Sequence, residues 1–101
     1  MNMVINTVHD EQVHLDIVSV TKAIVPVFRD LNGTVSTEPA WILGLKPNDK
    51  DELPGNMTIV ERHIPCFNHV SFNGHCYSIS DIEDFNEAMH DLNVELTMEN
   101  V

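Results

Sequence analysis

The chain has 101 residues, 43% of them hydrophobic, and sixteen acids against five bases leave a formal charge of −11. That length suits one domain and is enough to bury a core without crosslinks. The charge repels phosphate backbones and anionic lipid, which disfavours direct nucleic-acid or membrane partners and favours basic protein surfaces or cations.

No apolar run nears the roughly 20 residues needed to cross a bilayer. The opening MNMVINTVHD lacks the basic segment and small-residue cleavage site of a secretory signal. Two cysteines, Cys66 and Cys76, are too few for a disulfide scaffold. A cytoplasmic protein is expected.

In chain order, MVINTV reads as a short strand. Asp10 and Glu11 then suit a helix N-terminus, where the macrodipole favours negative charge. Val13, Ile17, Val20, Ile24, Phe28 and Leu31 follow at helical spacing. This predicts a first helix ending near Ala23 to Val25, because Pro26 removes a backbone donor and clashes with the preceding turn. The density of valine, isoleucine and threonine from 13 to 27 pulls the other way, toward strand. VFRDL-NG-TVS reads as a hairpin, with Asn32-Gly33 as a type I′ turn.

AWILGL is a buried strand or tucked loop, with Trp41 in the core. KPNDKDELPGN, residues 46 to 56, is the clearest loop. It holds Asp49, Asp51 and Glu52 without the ligand order or central glycine of a calcium-binding loop. MTIVERHI is a strand ending at Pro65.

The last third is the most strongly specified. Asn73-Gly74 as a two-residue turn pairs Phe72 with His75, Ser71 with Cys76 and Val70 with Tyr77. Alternation then puts Val70, Phe72, Tyr77 and Ile79 on one face and His69, Ser71, Cys76 and Ser78 on the other. SDIE from Ser80 to Glu83 reads as a capping box. Ile82, Phe85, Met89 and Leu92 mark the buried stripe of a helix reaching about Asn93. VELTM is expected to return as an edge strand. The expected fold is a single α+β domain over residues 1–101, with an antiparallel sheet around a central Asn-Gly hairpin and two helices.

RHIPCFNHVSFNGHCYSI gathers three histidines and both cysteines. A structural zinc site needs four converging ligands. His69 and Cys76 lie diagonally on one strand face, whereas His75 points to the other and His63 and Cys66 flank Pro65. Two ligands can be placed, so a metal-binding regulator built on His69 and Cys76 stands as an alternative, and no metal or cofactor is expected. No Ser-His-Asp set or Gly-rich phosphate loop can be assembled, so no enzyme is expected.

From His63 onward there is no lysine or arginine, against seven acids. Five of these, Asp81, Glu83, Asp84, Glu87 and Asp91, fall on one helix over about 15 Å. Glu83, Glu87 and Asp91 are successive like charges four apart, each pair costing a few tenths of a kcal/mol. One charge per about 3 Å is near the per-strand density of duplex DNA. Excess acid also serves plain solubility. A one-signed helix face points further, to a protein-binding module that inhibits or sequesters a basic, nucleic-acid-handling partner. Its kind is that of phage anti-defence proteins, DNA mimics or immunity proteins. Glu83, Asp84, Glu87, Asp91 and Glu95 are the expected contact residues. A self-associating assembly subunit, joined through an edge strand and Val94 and Leu96, is the other alternative.

Overall fold

The computed structural model describes residues 1–46 and 55–99. Most of the expected loop at 46–56, including Asp49, Asp51 and Glu52, lies outside the described residues. The chain folds as a small α+β domain with one six-stranded antiparallel sheet in the order β4-β3-β2-β1-β5-β6. The strands are β1 (Asn2–Thr7), β2 (Gln12–Arg29), β3 (Val35–Leu45), β4 (Asn56–Val60), β5 (Phe67–Phe72) and β6 (His75–Ser78). A 3₁₀ segment, Glu61–Cys66, carries the chain from one side of the sheet to the other, and the helix α1, Ile82–Glu99, completes the second layer.

The expected first helix is instead β2, an 18-residue strand. Its first part alternates: Val13 and Leu15 pair with Ile5 and Met3 on the core side, while His14 and Asp16 turn outward. A bulge between Ile17 and Ser19 then shifts the register, so that Ile17 and Val20 both reach the core, opposite Leu45 and Leu43. A bulge inserts one residue and resets the alternation. Asp10 and Glu11 belong to the turn before β2, with Asp10 in the left-handed region at φ 61°. Gly44 sits opposite Ser19 beside the bulge, where a Cβ would collide with the Ser19 hydroxyl.

The β1–β2 and β2–β3 turns share one construction. Thr7 N–H donates to the Glu11 carbonyl, and Asp30 N–H donates to the Thr34 carbonyl. In each, the first residue's side chain accepts two backbone N–H bonds. Thr7 Oγ1 receives those of His9 and Glu11, and Asp30 Oδ1 receives those of Asn32 and Thr34. Asn32-Gly33 is therefore not a two-residue type I′ turn. It ends a three-residue loop in which only Gly33, at φ 83°, is left-handed.

Asn73-Gly74 does join β5 and β6, with both residues at positive φ and with Phe72↔His75, Ser71↔Cys76 and Val70↔Tyr77 paired. This hairpin lies at the sheet edge, not at its centre. The strand expected from MTIVERHI stops at Val60, since Glu61–Cys66 coils into the 3₁₀ segment that buries Ile64. The expected final strand VELTM is the last turns of α1, because Leu96 continues the buried stripe of Phe85, Met89 and Leu92.

The core lies between one face of the sheet and α1. Met3, Ile5, Ile17, Leu43, Val70, Phe72 and Ile59 meet Phe85, Ala88, Met89 and Leu92 there. Trp41 is buried as expected, and its Nε1 donates to Asn86 Oδ1 at 2.8 Å. The sheet's opposite face, with Asn2, Gln12, His14 and Asp16 exposed, has no helix over it among the described residues. No helix there is long and apolar enough to cross a membrane.

Candidate functional site

The acidic residues of α1 divide by their place on the helix. Phe85, Met89, Leu92 and Leu96 face the sheet. Glu83 and Glu87 lie on the exposed side, while Asp84, Asp91 and Glu95 are half-buried along the flank facing the β5–β6 hairpin. Residues 84, 91 and 95 fall within about one side of the helix because seven and eleven residues are close to two and three whole turns.

The three flank carboxylates are engaged. Asp84 Oδ2 accepts the Ser80 backbone N–H at 2.9 Å. Asp91 Oδ2 accepts the Tyr77 hydroxyl at 3.0 Å, and Glu95 Oε2 accepts Asn73 Nδ2 at 2.8 Å. Each donor is neutral, so none of these bonds cancels the charge, and those of Asp91 and Glu95 hold the helix against the hairpin. The helix cap also differs from the expected Ser80–Glu83 box. Asp81 caps the helix by accepting the Asp84 N–H at 2.9 Å, and Glu83 is left exposed. An aspartate at the N-cap satisfies a donor that the first turn leaves open.

None of the chain's cations answers this helix among the described residues. The three ion pairs there join the Met1 amine to Asp16, Lys22 to Glu61 and Arg62 to Glu38. Lys22 also lies 5.3 Å over the Trp41 ring. The negative surface continues past the helix end into an open cleft of about 700 Å³ lined by Met1, Asn2, Asp16, Asn73, Glu95, Met98 and Glu99. The Tyr77 hydroxyl reports the field. Partial burial raises its pKa, and the Asp91 bond and the charges of Asp91, Glu95 and Glu87 raise it further.

The histidine and cysteine cluster does not converge. His69 and Cys76 are diagonal across the β5–β6 ladder, as the turn requires, but His63, Cys66, His75 and Cys76 are exposed and both thiols are free. Among the described residues, no three His, Cys, Asp or Glu side chains come together to hold a metal.

Two partners of the site escaped the sequence reading. Tyr77 was assigned to the core face, but a phenol at the edge of that face needs an acceptor for its hydroxyl. Asp81-x-x-Asp84 has the spacing of a capping pair as well as Ser80 to Glu83 does. Either signal can be found in the sequence once the helix start is placed one residue later.

In comparisons with known proteins, no family model matches this chain, and no curated protein or solved structure is significantly similar to it.

Proposed function

We propose that the chain is a small acidic protein-binding module that inhibits or sequesters a basic partner, acting by occupancy rather than turnover. The surface it offers is the carboxylate strip of α1. Glu83 and Glu87 make the outward contacts, and Asp84, Asp91 and Glu95 are held in place along its flank. The observation that carries this reading is the absence of any cation paired with α1 among the described residues, beside like charges set four apart. Such an arrangement costs stability in the free protein and is relieved when a basic surface docks. The charge spacing along the helix suits a partner that ordinarily handles nucleic acid, in the manner of anti-defence and immunity proteins.

The test compares capture from native lysate by wild type and by the Glu83→Lys, Glu87→Lys double variant, at low and moderate salt. These two residues are the right pair because neither supports the fold through a hydrogen bond among the described residues. A partner that wild type retains, that moderate salt weakens and that the double variant loses supports the reading. Equal capture by both proteins at matched salt removes it.

A further inference from the structure

Six of the eighteen residues of α1 are aspartate or glutamate, and none is lysine or arginine. The water-facing side of such a helix is ordinarily polar along its whole length. Here it is not. Val94 is 53% exposed and Met98 is 67% exposed, while Phe85, Ala88, Met89 and Leu92 on the opposite side are fully buried. Neither outward residue adds to the core, and Val94 is a poorer helix former than the lysine, glutamine or alanine that would serve there. The fold alone gives no reason for the pair.

The pair is continuous with the carboxylate strip. Glu87, Asp91, Val94 and Met98 stand four, three and four apart, so one line along the helix passes from two acids to two apolar side chains over about 16 Å. Asp91 lies one turn before Val94, and Glu95 lies one turn before Met98. Both carboxylates keep their charge, because their hydrogen bonds come from Tyr77 and Asn73, which are neutral. Lys46 lines a separate hollow with Leu96 and Glu99, on the sheet side of the helix end, and is paired with neither.

Charge selects the occupant. Asp91 and Glu95 stand within one turn, about 5 Å, of the apolar pair, inside the Debye length of about 8 Å, so a second copy or anionic lipid meeting the pair is repelled. A cationic protein segment is attracted. Lysine and arginine carry aliphatic stems beneath their charges, so such a segment covers apolar surface while it neutralises carboxylates. We infer that Val94 and Met98 are the apolar anchor of the docking surface, met by a basic amphipathic segment of the partner. Its cations lie against Glu87, Asp91 and Glu95, and one aliphatic side chain lies against the Val94–Met98 pair. This rests on the acidic docking reading of α1 and narrows it. A surface that imitates nucleic acid by charge alone has no use for the pair, whereas binding energy concentrates in a few desolvated contacts ringed by polar ones. Methionine, flexible and polarizable, suits such a contact.

Two labelled lysine-rich peptides of equal charge test this, one carrying leucine at helical spacing and the other serine at the same positions. Fluorescence anisotropy of each with the full chain is read at low and moderate NaCl. Wild type should bind both, more weakly as salt rises, and should hold the leucine peptide about tenfold more tightly, the effect of burying most of one aliphatic side chain. In Val94→Gln with Met98→Gln that preference should vanish, while the serine peptide binds as before. Ile24→Gln with Leu31→Gln, which removes exposed apolar residues of the β2–β3 hairpin, should keep it. Equal binding of the two peptides by wild type overturns the anchor, as does a preference that survives in the α1 variant. So does a free-chain mass above 11.4 kDa that the α1 variant returns to 11.4 kDa, because the pair then joins two copies. The acidic reading itself fails on a different result, a serine-peptide affinity unchanged by Glu83→Lys with Glu87→Lys.

Discussion

Tyr77 on β6 donates its hydroxyl to Asp91 on α1 at 3.0 Å, so the acidic helix is fastened to the sheet edge by one of its own acids. A hydrogen bond to a charged acceptor contributes about 1.5–3 kcal/mol, and the partial exposure of both groups brings this one below that range. Tyr77→Phe should therefore lower stability by about 1 kcal/mol, read from the urea midpoint. The same contact makes stability depend on alkaline pH. Burial, Asp91, Glu95 and Glu87 raise the Tyr77 pKa in the folded state, so the folded protein holds that proton more tightly than the unfolded chain. Stability is then full below the ordinary tyrosine value of about 10 and is lost as pH rises through the raised folded value. Tyr77 is the only tyrosine, so phenolate absorbance reads it alone. A midpoint at or below that of the unfolded chain would contradict the geometry.

Asp10 and Gly33 hold the same place in two copies of one turn, the left-handed third residue, at φ 61° and 83°. Glycine meets no steric penalty there, and a residue with a Cβ does. Gly33→Ala should cost about 1 kcal/mol, whereas Asp10→Gly should cost nothing or stabilise. Equal losses from the two substitutions, in matched melts, would show that the turns are not equivalent.

At the start of α1, Asp81 accepts the Asp84 N–H and the Asp84 carboxylate reaches back to the Ser80 N–H. Asp81→Ala should destabilise by about 1 kcal/mol, as removal of an N-cap does. Ser80→Ala should change little, since it is the Ser80 backbone that takes part. Thermal melts of the two variants separate this cap from a Ser80–Glu83 box, which predicts the reverse order.

These local details bear on how far the fold can be read from the chain. The Asn73-Gly74 register was legible because both residues accept positive φ and the flanking alternation agrees with that pairing. β2 was not, for a specific reason. Its core residues Val13, Ile17 and Val20, followed by the exposed Ile24, stand four, three and four apart, which is helical spacing, yet the three-residue step spans the bulge at Val18. A strand with one bulge imitates a helix in the periodicity of its apolar positions, and only β-branched density and the alternation of His14 and Asp16 betray it. The end of α1 was missed through the opposite error, local strand propensity in VELTM overridden by burial of Leu96. The acids of the candidate site were visible as a run on one helix. Which of them are engaged was not, because that depends on where the β5–β6 hairpin meets the helix flank.

Glu87 is the residue where stability and the proposed function should move in opposite directions. It lies four residues from both Glu83 and Asp91 on α1. Each like-charge pair costs about 0.2–0.5 kcal/mol, and a lysine at 87 turns both repulsions into attractions, so Glu87→Lys should stabilise the free protein by about 1 kcal/mol. Salt is a second measurement. Between about 0.01 and 0.15 M the Debye length falls from about 30 to 8 Å, so wild-type melting temperature should rise with NaCl and that of the variant should rise less. A third readout is Tyr77, whose pKa Glu87 helps to raise and which should titrate lower in the variant. If Glu87→Lys is more stable, less salt-dependent and unable to hold the partner, the carboxylates serve docking at the expense of the fold. If it is less stable, position 87 already has a favourable contact within the chain, and the strip is structural.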